Sequence, residues 1–365
     1  MIRRGVARAV ATASLAACLL NLTGSAHAAF TASVFARGAD VSGSRPDSIT
    51  TDGTHVFIQY GNGASSSLPL GTGGASTIAE YDMSGKVLNT FSVLGSADGV
   101  RFNAATNQLW VLQNQDANSA LTTIDVGTGM MNHYTYSLNS PTRGYDDVNF
   151  AGGNAYVVNT NPNSGSDTII HQATLGNGVV NLSSVLTLNA TGTNTATGQT
   201  GPIPASDPDS LNLRPDGSLL LTSGNDASLT TIRNPGTGTQ SVSFVSLITA
   251  AGTKLTELDD TVFASRADQR LLVADTANNI VYALTGTFQA GGAYSSVSNF
   301  VASVDLTTGV STSITDGLFA ANASPHGLAF IPAAAVPEPS TLILSTISAL
   351  AGLGCYGVRR RKGAR

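Results

Sequence analysis

A short phrase that recurs six times constrains this chain more than any other feature. Each copy has an acidic or polar turn, one apolar residue, a Gly or Asn turn and then a short apolar strand, and copies follow one another at about 50 to 65 residues. The six copies are Asp47-Ser48-Ile49, Asp98-Gly99-Val100, Asp146-Asp147-Val148, Asp209-Ser210-Leu211, Asp259-Asp260-Thr261-Val262 and Pro325-His326-Gly327-Leu328. After each of the first five, a second strand is predicted at a nearly constant offset, over 56–60, 109–113, 155–159, 219–223 and 271–275. The chain therefore repeats one structural unit.

Hairpins between the copies complete the unit. One is predicted from 77–82 into 87–93, with its turn at Ser84-Gly85. Four strands in about 50 residues is the period of a β-propeller blade, and blades must stack into a closed ring to bury both of their faces. The segment 32–36 is predicted to complete a blade that 327–331 begins. We therefore expect an all-β propeller of five to seven four-stranded blades, preferably six; a pair of β-sandwiches or a β-solenoid is the alternative.

Composition limits the chemistry of the domain predicted over 29–332. The sequence has 39 glycines and only 11% charged residues, which is typical of many short strands joined by turns. Between the termini, 22 acidic and 10 basic residues give a net charge near −12, so nucleic acid is not an expected partner. Cys18 and Cys355 both lie in the terminal segments, which excludes disulfides and thiolate sites from this domain.

Residues 1–28 are predicted to be a signal peptide. Three arginines and no acid precede an uncharged apolar run over 9–22, and small residues then allow signal peptidase to cut between Ala28 and Ala29. A lipoprotein box ending at Cys18 is the alternative.

The other end reads as a linker over 333–340, a transmembrane helix over 341–358 and a basic cytoplasmic stop over 359–365. The apolar stretch of 18 residues would span about 27 Å, close to the thickness of a hydrocarbon core. Basic residues favour the cytoplasmic side, which leaves the preceding domain outside. They are Arg359, Arg360, Arg361 and Lys362.

The tail resembles the PEP-CTERM sorting signal of Gram-negative bacteria that make exopolysaccharide. The resemblance covers about the last 30 residues and rests on Pro337, Glu338 and Pro339, the apolar helix and the basic end. It implies that these three residues are recognised by an exosortase, that the protein passes through the inner membrane, and that it ends at the cell surface or in the extracellular matrix. A plain single-pass tail anchor is the alternative.

The domain itself resembles NHL-repeat and gluconolactonase-like propellers in two local phrases, 273–279 and 214–217. In the gluconolactonase-like enzymes a Glu, an Asn and an Asp hold a metal, with the Glu early in the first blade. Here Glu80 and Glu257 are the domain's two glutamates, and neither stands in such a position. The resemblance therefore supports the fold and not the lactonase reaction.

The acids of the recurring phrase are the best candidate site. Residues at the start of a propeller's innermost strands lie near the channel mouth, so these acids are expected to share one rim and to bind Ca²⁺ or orient a sugar. They are Asp47, Asp98, Asp147, Asp209 and Asp259. In the alternative interpretation, each aspartate caps only its own turn. The dispersed histidines are predicted to be turn or strand residues, and Trp110 and Tyr60 to be core residues.

These observations favour a non-enzymatic, exported propeller associated with exopolysaccharide, with no catalytic residue assigned. One alternative is a hydrolase or lactonase acting on matrix carbohydrate, which would lose activity when Asp147 and Asp259 become asparagine. The other is a purely structural matrix protein with O-glycans on the Thr-rich stretch 189–200.

Overall fold

A computed structural model describes residues 30–138 and 144–333 of the chain. Several predicted features lie outside these residues: the cleavage site between Ala28 and Ala29, the motif Pro337-Glu338-Pro339, the apolar segment 341–358 and the basic end. Within the described ranges, no helix is long and apolar enough to cross a membrane.

The described residues form β-strands and one 3-10 turn, Gly38–Val41. In chain order the strands are β1 (Thr31–Arg37), β2 (Pro46–Thr51), β3 (His55–Tyr60), β4 (Ala75–Asp82), β5 (Val87–Leu94), β6 (Ala97–Asn103), β7 (Gln108–Gln113), β8 (Ala120–Asp125), β9 (Met131–Tyr136), β10 (Tyr145–Ala151), β11 (Asn154–Asn159), β12 (Thr168–Gly176), β13 (Val179–Thr187), β14 (Thr191–Asn194), β15 (Thr200–Pro202), β16 (Pro208–Leu213), β17 (Leu219–Ser223), β18 (Ser228–Arg233), β19 (Ser241–Ser246), β20 (Ile248–Thr249), β21 (Leu258–Phe263), β22 (Arg270–Asp275), β23 (Ile280–Thr285), β24 (Ala293–Val297), β25 (Phe300–Val304), β26 (Val310–Ser313) and β27 (Pro325–Ile331).

These strands make six blades, which confirms the predicted propeller. From the channel outwards, blade 1 is β2-β3-β4-β5, blade 2 is β6-β7-β8-β9, blade 3 is β10-β11-β12-β13 and blade 4 is β16-β17-β18-β19. Blade 5 is β21-β24-β25-β26, and blade 6 is β27-β22-β23-β1. The innermost strands contact one another in the order β2, β6, β10, β16, β21, β27 and back to β2, so the ring is closed.

The ring closes as predicted, through a blade shared by both ends of the described chain. Strand β1 pairs antiparallel with β23, and β27 is the innermost strand of the same sheet. The core lies between successive blades. Small and apolar residues of blades 6 and 1, for example, pack into one cluster that includes Ile49, Ile58, Leu272 and Ala283.

Blade 5 corrects one prediction. The strand predicted over 271–275 was expected to pair with the innermost strand that precedes it, β21. Instead β22 pairs with β23 and with β27, and β24 lies beside β21. The chain therefore leaves blade 5 after one strand, forms the β22-β23 hairpin in blade 6, and returns. The apolar pattern specified that 271–275 is a strand, but pairing partners depend on long-range packing that the pattern does not encode.

The two longest intervals between copies of the phrase, from Asp146 to Asp209 and from Asp259 to Pro325, contain no seventh blade. One contains the exchanged β22-β23 hairpin. The other contains the β14-β15 hairpin, which extends the outer edge of blade 4 because β14 pairs in parallel with β19. The Thr-rich stretch 189–200 belongs to this hairpin. Trp110 and Tyr60 are buried in the core, as predicted.

Candidate site at the channel mouth

Every innermost strand begins with a β-bulge. The pairing register of β2 with β3 shifts between Pro46 and Ile49, and β6, β10, β16 and β21 show the same shift at the equivalent place. In β27 the shift falls between Pro325 and Leu328, which pair with Asp275 and Val273 of β22. A bulge adds one residue to a strand and turns a side chain to a new direction. The recurring phrase of the sequence is therefore this bulge, repeated six times.

The first residue of each bulge lines a polar cavity of about 450 Å³ at the end of the channel where the innermost strands begin. We call these six residues the channel-mouth ring: Asp47, Asp98, Asp146, Asp209, Asp259 and His326. The structure thus brings together four of the five predicted aspartates, Asp47, Asp98, Asp209 and Asp259. The fifth residue of that group, Asp147, lies one position too far along the strand.

Asp147 belongs to the second position of the bulge, which joins neighbouring blades. Its Oδ2 accepts hydrogen bonds from Arg101 Nη2 at 2.9 Å and from the backbone amide of Leu211, in blade 4, at 2.9 Å. Its carboxylate is thereby committed to holding blades 2, 3 and 4 together, and Asp146 takes the ring position. The sequence offers Asp146 and Asp147 side by side, and the partners of Asp147 come from residues that are distant along the chain.

The other second positions are also used between blades. Asp260 Oδ2 accepts the amide of Leu328 at 2.9 Å, and its Oδ1 accepts Asn212 Nδ2 at 2.5 Å. Gly99 and Gly327 stand where the backbones come closest, because a Cβ on either would lie 2.2 Å from a carbonyl oxygen of the next blade. We call the six second residues the bridging positions: Ser48, Gly99, Asp147, Ser210, Asp260 and Gly327.

One side of the ring is a row of neighbouring carboxyls. The carboxyl of Asp146 lies next to those of Asp98 and Asp209, and both of them influence its pKa. Burial, reinforced by the neighbouring carboxylates, raises the pKa of all three well above the usual range. This side of the ring therefore keeps its protons to a higher pH than isolated aspartates do.

The other side of the ring is a histidine between two carboxylates. His326 Nδ1 lies 2.8 Å from Asp259 Oδ2 and 3.5 Å from Asp47 Oδ1, and its Nε2 is 3.1 Å from Ser324 Oγ. The carboxylate of Asp259 raises the pKa of His326 to about 12, so the imidazole is positively charged at neutral pH. The pKa of Asp259 is itself raised by burial, against the opposing effect of this histidine.

The histidine was predicted to be an ordinary strand residue, and that prediction was incomplete. His326 is in strand β27, but it also occupies the position that an aspartate holds in the other five copies of the phrase. The alignment of Pro325-His326-Gly327 with the other copies was the sequence signal for this ring position. Its Nδ1 and one oxygen each of Asp47 and Asp259 lie within 4.8 Å of one another, close enough to bind one metal ion together.

Around the ring, the cavity widens into a vestibule of polar loop residues. Gln115, Asp116, Thr160 and Asn161 follow the second strands of blades 2 and 3 and line it. Among the described residues that line the cavity there is no Phe, Tyr or Trp, so the large flat surface on which sugar rings commonly stack is missing there. The cavity instead offers carboxylate, amide and hydroxyl oxygens.

The two acids named for the hydrolase alternative have different partners. Asp147 accepts hydrogen bonds from Arg101 and from the amide of Leu211, and Asp259 pairs with His326. Glycoside hydrolases hold their two carboxyl groups about 5 to 9.5 Å apart, to leave room for the sugar or a water molecule. The acids of the Asp98, Asp146 and Asp209 row instead lie next to one another.

Fold and channel together define a six-bladed β-propeller with an acidic channel mouth. No protein-family model matches the chain, and no curated protein matches it either. Among solved structures, the periplasmic gluconolactonase PpgL of Pseudomonas aeruginosa is similar over 79% of this chain and 89% of its own, with 14% identity and a TM-score of 0.45. A Lactobacillus plantarum protein is similar over 78% and 88%, with 13% identity and a TM-score of 0.44. Virginiamycin B lyase from Staphylococcus aureus is similar over 83% and 82%, with 14% identity and a TM-score of 0.41. The propeller assignment itself rests on the sheet topology described above.

Proposed function

We propose that this chain is an exported, non-enzymatic binding protein of the PEP-CTERM type, and that its propeller binds a divalent cation, Ca²⁺ first among them, at the channel-mouth ring. One observation carries the cation site: the six bulges place five aspartates and one histidine around a single cavity. That many carboxyls, partly buried and close together, need either protons or a cation to balance their charge.

The surroundings favour an oxygen-loving cation over a sugar as the primary ligand. Ca²⁺ takes six to eight oxygen ligands, and the ring and vestibule supply carboxylate, amide and hydroxyl oxygens. Asp47 and Asp259 pair with His326, so a cation that binds them replaces the proton of His326, while the row from Asp98 to Asp209 releases its protons when a cation arrives. Coordination positions that face the vestibule remain available to oxygen atoms of a polysaccharide.

Thermal unfolding of the metal-free protein tests the proposal. Addition of Ca²⁺ at about 100 times its Kd is expected to stabilise the protein by about 2.7 kcal/mol. Asp98→Asn should reduce this response strongly, whereas Asp268→Asn, an exposed aspartate outside the ring, should leave it unchanged. If Ca²⁺, Mg²⁺ and Mn²⁺ all leave the wild-type melting temperature unchanged, the ring is a structural element and the cation proposal is wrong.

Export and sorting need a separate measurement. The mature protein from its host should begin at Ala29 and lack the tail that follows Pro337-Glu338-Pro339, and the tail should be retained in cells without exosortase. Intact mass and terminal sequencing report both ends. Retention of Arg365 in both strains would instead identify a simple tail anchor, and an excess of mass would indicate glycan on the domain.

A further inference from the structure

A second cavity, of about 180 Å³, lies between blades 4 and 5. Its wall includes Arg214, which directly follows the last residue of innermost strand β16, and Arg233, the last residue of β18. Because the channel mouth lies where the innermost strands begin, this cavity is on the opposite face of the propeller. We call it the arginine cleft.

The cleft concentrates positive charge in an acidic domain. Arg214 donates from Nη1 to Thr231 Oγ1 at 2.8 Å, and this is the one hydrogen bond of its guanidinium among the described residues. Asp216 pairs with Arg233 at 3.0 Å but lies 4.0 Å from Nε of Arg214, too far for a hydrogen bond. Burial lowers the pKa of Arg214, and the neighbouring carboxylate of Asp216 opposes that shift. The cleft therefore has two guanidinium groups beside one carboxylate, and Nε of Arg214 is buried without a hydrogen-bond partner among the described residues.

The rest of the wall is unlike the channel mouth. Hydroxyl groups come from both blades and from the β14-β15 hairpin, and one aromatic ring, Phe244, is present. The hairpin fixes the cleft across the two blades, because Thr195 Oγ1 donates to the carbonyl oxygen of Leu306 at 2.9 Å. The wall thus includes Arg214, Arg233, Thr195, Thr231, Phe244 and Thr307.

We infer that the arginine cleft binds an acidic sugar residue through its carboxylate. A guanidinium group presents its N–H donors in a planar fork that matches a carboxylate, and Arg214 and Arg233 supply two such groups. The threonine hydroxyls match sugar hydroxyls, and Phe244 offers the apolar surface on which a sugar ring packs. This site is independent of the cation site at the channel mouth.

Titration of the full chain with D-glucuronate and with D-glucose, followed by NMR in the presence of a chelator, tests the inference. Glucuronate should bind at least about tenfold more tightly than glucose, because only glucuronate carries the carboxylate. Arg233→Gln should weaken glucuronate binding about tenfold, and this side chain is half exposed, so the fold should survive the change. Arg266→Gln is the matched control, an exposed arginine that also lies beside an aspartate but outside the cleft. It should bind glucuronate like the wild type.

Four outcomes would overturn the inference. Equal affinity for glucose and glucuronate would show that the carboxylate is not recognised, and unchanged binding by Arg233→Gln would place the ligand elsewhere. Sulfate that displaces glucuronate with equal affinity would show a general anion site with no sugar recognition. Binding that appears only when Ca²⁺ replaces the chelator would locate the sugar at the channel mouth.

Discussion

The two residues of each innermost-strand bulge lie side by side, yet their surroundings differ completely. At the bridging positions, Asp147 and Asp260 accept backbone amides and side-chain donors from other blades. At the ring positions, Asp98, Asp146 and Asp209 meet chiefly other carboxyls. The same residue type thus stabilises the propeller at one position and crowds against other acids at the next. The difference separates residues that hold the fold from residues that are available to a ligand.

The largest expected effect comes from a bridging carboxylate. Asp147→Ala leaves the Arg101 guanidinium without its carboxylate and the amide of Leu211 without an acceptor, so we expect a loss of about 3 kcal/mol in the free energy of unfolding. Urea denaturation measures it. Asp146→Asn, one residue away, is the control and should not be destabilised. Equal losses of unfolding free energy in both variants would show that the bridging and ring positions contribute equally to stability.

A smaller effect is expected from pH. The pKa values of Asp98, Asp146 and Asp209 are raised above the usual 3.8, and burial raises that of Asp260 to about 6. The folded chain therefore keeps protons that the unfolded chain releases, so this contribution to stability is complete below about pH 4 and is lost as the pH rises. His326, with its pKa raised from 6.5 to about 12, acts in the same direction above pH 6.5.

Without divalent cations, the melting temperature should accordingly fall by several degrees between pH 5 and pH 8, on the order of 2 kcal/mol. Calorimetry in a chelating buffer measures this, and Ca²⁺ at pH 8 should restore the loss. A melting temperature that rises over this range would show that the ring carboxyls are ionised and balanced without a ligand.

The smallest effect is expected from a neutral isostere in the ring. The amide side chain introduced by Asp146→Asn has the shape of the carboxyl and can both accept and donate, and the change removes one buried acid from the row. The metal-free variant should be more stable than the wild type by about 1 kcal/mol at pH 8 and should bind Ca²⁺ more weakly. Paired unfolding curves with and without Ca²⁺ measure both. A variant that is less stable and binds Ca²⁺ normally would assign Asp146 to the framework.

Local sequence predicted the parts of the molecule that depend on local pattern. The strands, the six starts of the innermost strands and the closing strand β1 follow from apolar runs, turns and a repeated phrase. The partner of β22 could not be predicted, because β21 and β27 present similar apolar edges and the choice depends on the assembled ring. The sequence could not show that Asp146, and not Asp147, takes the ring position. That placement depends on the hydrogen bonds of Asp147 with Arg101 and Leu211, which are distant along the chain. The ring position of His326 could have been predicted, because His326 replaces the aspartate in an otherwise regular phrase.

Blade 6 has a consequence for folding kinetics. Its four strands come from three separate parts of the chain, and β1 must wait until β23, about 250 residues later, is available to pair with it. Pairings between such distant segments form late, since the entropy of closing a long loop must be overcome first. During synthesis, which starts at the N-terminus, blades 1 to 4 are complete before the ring can close. The seam between β1 and β23 is therefore expected to form last, and amide hydrogens along it to exchange before those of the other blades.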